Sequence, residues 1–278
     1  MPSTSRAYPL ITNEQIVMKR VIRYIALSVA LLSATSLFAQ EYTPTVERSN
    51  DFRGRVEAAF EWSPINDLSL EASFQARLKD DFSTVDRLQT SVGLNYEVCK
   101  YFNLGADYVL INPHDKGSWK QPRHRLNLNF EGVVKAGRFD LSLRERLQTT
   151  FRTDSVNRFE KMNPELILRS RVEAVYNIRH SKWSPYLLFE LNNTLNAPKV
   201  VDNYLEATLQ TDNYITRYRL GVGTKYRITR SHRLEFYYYI DFDRGYNIDY
   251  KGNKGTLKGY VEERQIRHIF GISYKFKL

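Results

Sequence analysis

Arginines separated by a single residue recur along the chain, at Arg123 and Arg125, Arg144 and Arg146, Arg169 and Arg171, and Arg217 and Arg219. In an extended strand such residues point to the same side, so each pair presents two guanidinium groups together. A guanidinium stays charged at biological pH and grips carboxylate or phosphate oxygens in bidentate fashion. Arg77, Arg87 and Arg267 share the polar faces of their own segments. The chemistry implied is recognition of anions, or the joining of facing strands by Arg–Glu and Arg–Asp pairs. The sequence leaves both open.

The elements that must position these residues are strands. From Leu68 to Leu78 every even residue is apolar and every odd residue polar. The same period of two recurs over Val56–Trp62, Leu88–Val98, Phe102–Leu110, Leu126–Phe130, Phe139–Phe151, Leu166–Ile178, Trp183–Leu195, Tyr214–Ile228, Leu234–Phe242 and His268–Leu278. No segment carries a competing helical period. Links alternate in length: short near 63–67, 99–101, 135–137, 179–182 and 229–232, long near 79–85, 112–121, 152–162, 196–212 and 245–262. That is the habit of outer-membrane barrels, with short periplasmic turns and longer outer loops. At the short-turn ends the apolar faces carry Trp62, Tyr96, Phe102, Phe130, Phe139, Tyr176, Trp183, Tyr226, Phe236 and Tyr274, the aromatic band of a membrane interface.

A soluble barrel with its apolar face inward is disfavoured, because so many strands enclose a space too wide for side chains to fill. The expectation is an all-β, antiparallel up-and-down transmembrane barrel of about 12 strands, between about 10 and 12, formed by a single chain. The first clear strand, from Arg55, runs toward the periplasm, so an even count requires a further weak strand around Tyr42–Asn50; an arm threading the lumen is the alternative. Glu145 interrupts an apolar face between Leu143 and Leu147, for which a local bulge is the expected cause and a hiding contact the alternative.

With that phase, the arginines named above line a lumen, mostly in its middle and outer half. Glu61, Glu71, Glu97, Glu131 and Glu235 line it nearer the periplasmic end. Asp241 and Asp243 sit high, and Lys225, Arg227, Lys275 and Lys277 sit low. Leu188, Ile167 and Val175 also face inward. A narrow channel or binding lumen for small anionic solutes is the first functional reading. A closed structural or partner-binding barrel is the second.

Catalysis finds no support. His124 and His268 fall near the outer ends of apolar faces, where a surface lipid hydrolase would place its site, but no serine stands beside them in a nucleophile motif. They read as interfacial residues. His114, His180 and His232 lack metal-ligand spacing, and Cys99, the only cysteine, excludes an intrachain disulfide or a cysteine-based zinc site. No catalytic residue, metal or cofactor is expected. The net charge of +10 is spread one or two residues per segment, unlike a nucleic-acid binder.

At the N-terminus, Met18 opens a basic stretch, followed by an apolar run from Ile25 to Leu32 and small residues up to Ala39. This is the form of a secretory signal peptide, with cleavage expected after Ala39 and the upstream 17 residues an extension ahead of the true start. The expected division is leader over 1–39, arm or weak strand over 40–50 and barrel over 51–278. Export to a bacterial outer membrane follows, with its lipid and the barrel assembly machinery as partners.

The run Leu166-Ile-Leu-Arg-Ser-Arg-Val-Glu-Ala-Val-Tyr with Trp183-Ser-Pro-Tyr-Leu-Leu-Phe-Glu resembles the outer-membrane barrels catalogued as domain of unknown function 2490. Arg144-Glu-Arg and the closing Arg267-His-Ile-Phe-Gly-Ile-Ser-Tyr-Lys-Phe are similar to it too. The resemblance spans roughly Asp51 to Leu278 and implies an outer-membrane location and no activity.

Overall fold

A computed structural model describes residues 45–202, 207–251 and 256–278. The expected leader over 1–39, and residues 40–44, lie outside the described residues.

The alternating segments form strands β1 (Thr45–Ile65), β2 (Leu68–Lys79), β3 (Thr84–Cys99), β4 (Phe102–Asp115), β5 (Ser118–Trp119), β6 (Arg123–Ala136), β7 (Phe139–Arg152), β8 (Glu165–Tyr176), β9 (Trp183–Thr194), β10 (Val200–Asp202), β11 (Ala207–Gln210), β12 (Tyr214–Arg227), β13 (His232–Lys251) and β14 (Thr256–Lys277). Eleven of them close into a barrel in the order β3-β2-β1-β14-β13-β12-β9-β8-β7-β6-β4, with β4 returning to β3. β5 pairs only with the upper end of β4, and β10 with β11.

An odd count needs one parallel pair, and β1 with β14 supplies it, from Thr45 opposite Val261 to Glu61 opposite Lys277. Both strands run toward the short-turn end. The separate strand expected around Tyr42–Asn50 is absent over its described part, because 45–50 simply prolong β1. Arg48 and Asn50 interrupt the apolar face there, but the residues keep pairing with β14, opposite Arg264 and Ile266, so the strand continues.

Short turns tie one end together. Glu97 N donates to Asp67 O, Val133 N to Tyr101 O, Asn177 N to Arg138 O, Arg227 N to Lys182 O and Leu278 N to Glu61 O, each at 2.8 to 2.9 Å. At the other end, the expected long link over 245–262 is largely strand. β13 runs to Lys251 and β14 starts at Thr256, while pairing of β13 with β12 stops at Asp243, so β1, β14 and β13 stand above the remaining wall. Tyr246, Ile248 and Tyr250 keep the period of two past Gly245. Tyr246 packs on Tyr214 and Tyr260 at ring separations of 5.2 and 5.3 Å.

The wall is inside out by the standards of a soluble protein. Leu187 is 66% exposed and Val56 60% exposed on the outside, while Glu190 and Asp241 are fully buried within. Such a surface suits hydrocarbon, and closure leaves the spanning strands without an unpaired edge. Trp183 and Tyr226 (4.4 Å) and Phe139 and Tyr176 (5.0 Å) form part of the expected aromatic band, whereas Phe130 stands halfway along β6. Glu145 does face outward. β7 keeps unbroken register with both neighbours, so the expected bulge is absent, and Ser170 Oγ on β8 donates to Glu145 Oε2 at 2.6 Å instead.

One side of the interior is packed solid. Tyr186, Leu188, Tyr239 and Ile269 form a buried cluster on β9, β13 and β14, with Val175 and Tyr237 against it. Tyr237 lies across Gly271 so closely that a Cβ there would fall inside its ring. Free space is pushed toward the opposite wall.

Candidate functional site

An inner cavity of about 390 Å³ lies there, mainly against β2, β3, β4, β6 and β7, and an outer cavity of about 310 Å³ is ringed by residues of nearly every strand; Arg77, Arg125 and Arg169 line both. The strands supply these residues by phase alone: Arg77 from β2, Arg125 from β6, Arg169 from β8. Arg87, Arg217, Arg219 and Arg267 line the outer cavity, and Arg144 and Arg146 the inner one. Arg171 turns instead to Glu190, and Arg123 sits half-buried near the outer end of β6 opposite Arg152.

Among the acidic candidates, Glu71 lines the inner cavity, and Glu131 lines both that cavity and a wider mouth of about 830 Å³ at the short-turn end. Glu61 pairs with Lys275 and Lys277. Glu235 accepts a hydrogen bond from the Tyr186 hydroxyl at 2.5 Å. Glu97 departs from expectation: it stands exposed at the end of β3 and lines none of these cavities, because the strand there has passed the rim.

Two arginine groups differ in how they are neutralised. On β7 and β8, Arg144 lies directly opposite Arg171 and Arg146 opposite Arg169. Like charges opposed across a sheet destabilise it unless something intervenes. Glu190 of β9 intervenes for most of them: its carboxylate accepts from Arg169 at 2.8 Å, Arg171 at 2.9 Å and Arg219 at 3.3 Å, with Arg144 at 3.8 Å. Arg146 lies 3.9 Å from Asp107. Arg219 also clasps Asp241 in bidentate fashion at 2.6 and 2.7 Å, and Arg217 and Arg267 reach Asp243 at 2.6 and 3.4 Å. This network bridges strands and fills the interior.

The second group is different. Arg55, Arg77 and Arg87 stand abreast, directly opposite one another on β1, β2 and β3. A break in register beside Arg87 turns Asp86 inward, and Arg87 bonds it at 2.8 Å. Arg55 and Arg77 have no carboxylate within ion-pair distance among the described residues. Arg77 Nε donates only to Gln75 Oε1 at 2.5 Å, and Arg125 Nε only to Thr150 Oγ1 at 3.1 Å. Between the two cavities there are therefore cations in excess.

Sequence reasoning missed Glu190, Arg55 and Asp107. Glu190 shares its face with Leu188, which was placed inward, so counting two residues further would have found it. The arginines around it come from β7, β8 and β12, and no local pattern announces that convergence.

The histidines expected at the outer apolar faces are bonded to tyrosines. Tyr108 and His124 Nδ1 lie 2.6 Å apart, and Tyr238 and His268 Nδ1 2.7 Å apart. No cluster of metal-ligating side chains occurs among the described residues.

Fold and interior thus define a closed β-barrel with an apolar outer wall and a basic, partly filled lumen. The chain belongs to the family described as Protein of unknown function (DUF2490), which matches residues 55–251. No curated protein matches it. Among solved structures, a chain titled "NanC porin structure in rhombohedral crystal form" is similar at 11% identity and a TM-score of 0.45, over 82% of this chain and 99% of that one.

Proposed function

We infer that the protein is an outer-membrane barrel whose lumen binds and passes small anionic solutes. On this reading residues 1–39 direct export, the barrel assembly machinery inserts the chain, and the apolar wall sits in outer-membrane lipid. The observation that carries the functional part is the row Arg55, Arg77 and Arg87, in which two of three opposed guanidiniums have no carboxylate partner among the described residues. Such a row is costly when empty and is stabilised when an anion bridges it. It flanks the neck between the outer and inner cavities, where an anion would pass.

Each residue has a role in this reading. Arg77 and Arg125 strip and hold the anion, while Arg169, anchored on Glu190, lends charge without leaving the wall. Planar-bilayer recordings in a potassium chloride gradient test it. The reversal potential is expected to favour chloride, and Arg77→Gln with Arg125→Gln is expected to shift it toward zero.

The closed-barrel reading draws on a specific observation too, the Glu190 network with its tyrosine packing, which occupies one side of the interior. Absence of any conductance from folded protein would favour it and end the channel reading.

A further inference from the structure

The charge that the neck leaves unbalanced has a counterpart at the short-turn end. Three turns in succession around the rim, joining β6 to β7, β8 to β9 and β12 to β13, carry Arg138, Arg179, Lys182, Arg227, Arg230 and Arg233, all exposed. Ion pairs at this end join Lys225 to Glu173, Lys275 to Glu61 and Glu71, and Lys277 to Glu61. None of the six turn cations has a carboxylate within ion-pair distance among the described residues. At the opposite end ion pairs are more numerous: Arg53 pairs with Asp51, Arg152 with Glu165, Lys79 with Asp115, and Arg244 and Arg264 with Glu262, while Arg48, Lys116, Lys120, Arg158 and Lys161 have no carboxylate within ion-pair distance among the described residues.

The arrangement is also one-sided. Lys182, Arg227 and Arg233 line the wide mouth directly, and of its acidic lining Glu173 is already held by Lys225 at 2.6 Å and Asp140 accepts from Asn177 at 2.8 Å. The turns on the other side of the rim carry Asp67 and a single cation, Lys100, with Glu97 near the end of β3. The mouth carries an excess of cations, because Lys182, Lys225, Arg227 and Arg233 outnumber Glu131, Asp140 and Glu173 and the exposed Arg138, Arg179 and Arg230 of the turns add to them. Excess charge on a concave surface bounded by a low-dielectric wall focuses its field and concentrates counter-ions. Because these side chains line a cavity that shares Glu131 with the inner chamber, their field acts on solutes entering the lumen rather than on headgroups outside the wall.

We propose that this half-rim is a capture site for anionic solutes, which loads the lumen from the short-turn side. It rests on the anion-binding reading of the neck and adds a direction to it: anions are gathered at the mouth and then handed to the arginine row.

A polyanionic dye, pyrene tetrasulfonate, bound to the detergent-solubilised barrel and followed by fluorescence anisotropy tests the site without requiring conduction. At about 0.05 M salt the wild type is expected to bind the dye, and to release it at about 1 M, where screening acts within roughly 3 Å. Lys182→Gln, Arg227→Gln and Arg233→Gln together are expected to weaken binding by about tenfold or more, as loss of a focused field does. Lys116→Gln with Lys120→Gln, exposed at the opposite end of the barrel, is expected to leave dye binding unchanged, and strand content by circular dichroism verifies that each variant is folded. Equal binding by wild type and the triple variant, no binding by wild type, or displacement of the dye by phosphatidylglycerol added to the micelles would each overturn the proposal. In bilayers the triple variant is expected to lower the anion current driven from the short-turn side more than the current driven from the other side. A non-conducting barrel that still binds the dye at the mouth would end the channel reading alone.

Discussion

Glu190 is the residue on which most of the interior depends. It is fully buried and faces four arginines, and its removal leaves Arg144 and Arg169 without a carboxylate within ion-pair distance among the described residues and Arg171 with Glu173 at 4.0 Å, while Arg219 keeps Asp241. Breaking a buried ion pair by deleting one partner costs about 3–5 kcal/mol. Glu190→Ala is therefore expected to lower unfolding stability by about that much in urea titrations of the vesicle-embedded protein, with loss of strand content in the extreme. Glu145 is the opposite case. It faces outward at the middle of β7 with one serine partner, and a carboxylate in hydrocarbon is unfavourable. Glu145→Leu is expected to stabilise the barrel by about 1 kcal/mol in the same titration. The two glutamates differ only in face, and face was readable from parity. Their partners were not, because Ser170 lies 25 residues from Glu145 and Arg219 lies 29 residues from Glu190 along the chain.

At the scale of elements, alternation and link length specified most of the wall, and they failed where a strand outran its expected end. β1 begins at Thr45 and β13 continues to Lys251 because both extensions pair with the long strand β14, although Arg48 and Asn50 interrupt the alternation in β1. The seam between β13 and β14 shows what alternation cannot convey. Tyr237 is an inward tyrosine like any other by phase, yet its ring lies over Gly271 on the next strand, where no side chain could fit. Gly271→Ala must displace that ring, and overpacking of this kind costs about 1–3 kcal/mol. Adding Tyr237→Ala should remove most of that additional cost, a coupling measurable as a double-mutant cycle in urea unfolding.

For the whole molecule, the odd strand count is met by the parallel pairing of β1 with β14, and this is open to direct test. In a Cys99→Ser background, Val56→Cys and Ile272→Cys stand opposite one another on the outer face of the seam. Facing strand residues lie within the Cα separation that a disulfide spans. Mild oxidation is expected to join them in the folded protein, giving a shift in gel mobility that reduction reverses. An antiparallel closure through a twelfth strand would keep them apart and leave the mobility unchanged.

Side-chain alternation is a local property with a period of two residues, and it is imposed wherever a strand separates an apolar medium from a polar one. The sequence by itself therefore determined that the chain forms barrel staves, which face of each is apolar, and that arginines gather on the other. The tertiary structure decided how those arginines are used. Whether a given guanidinium meets Glu190 or Asp241 or, like Arg55 and Arg77, has no carboxylate within ion-pair distance among the described residues depends on the stagger accumulated around eleven strands and on the tyrosines that fill one side of the barrel. That stagger is a sum over every strand pair, so no single segment encodes it.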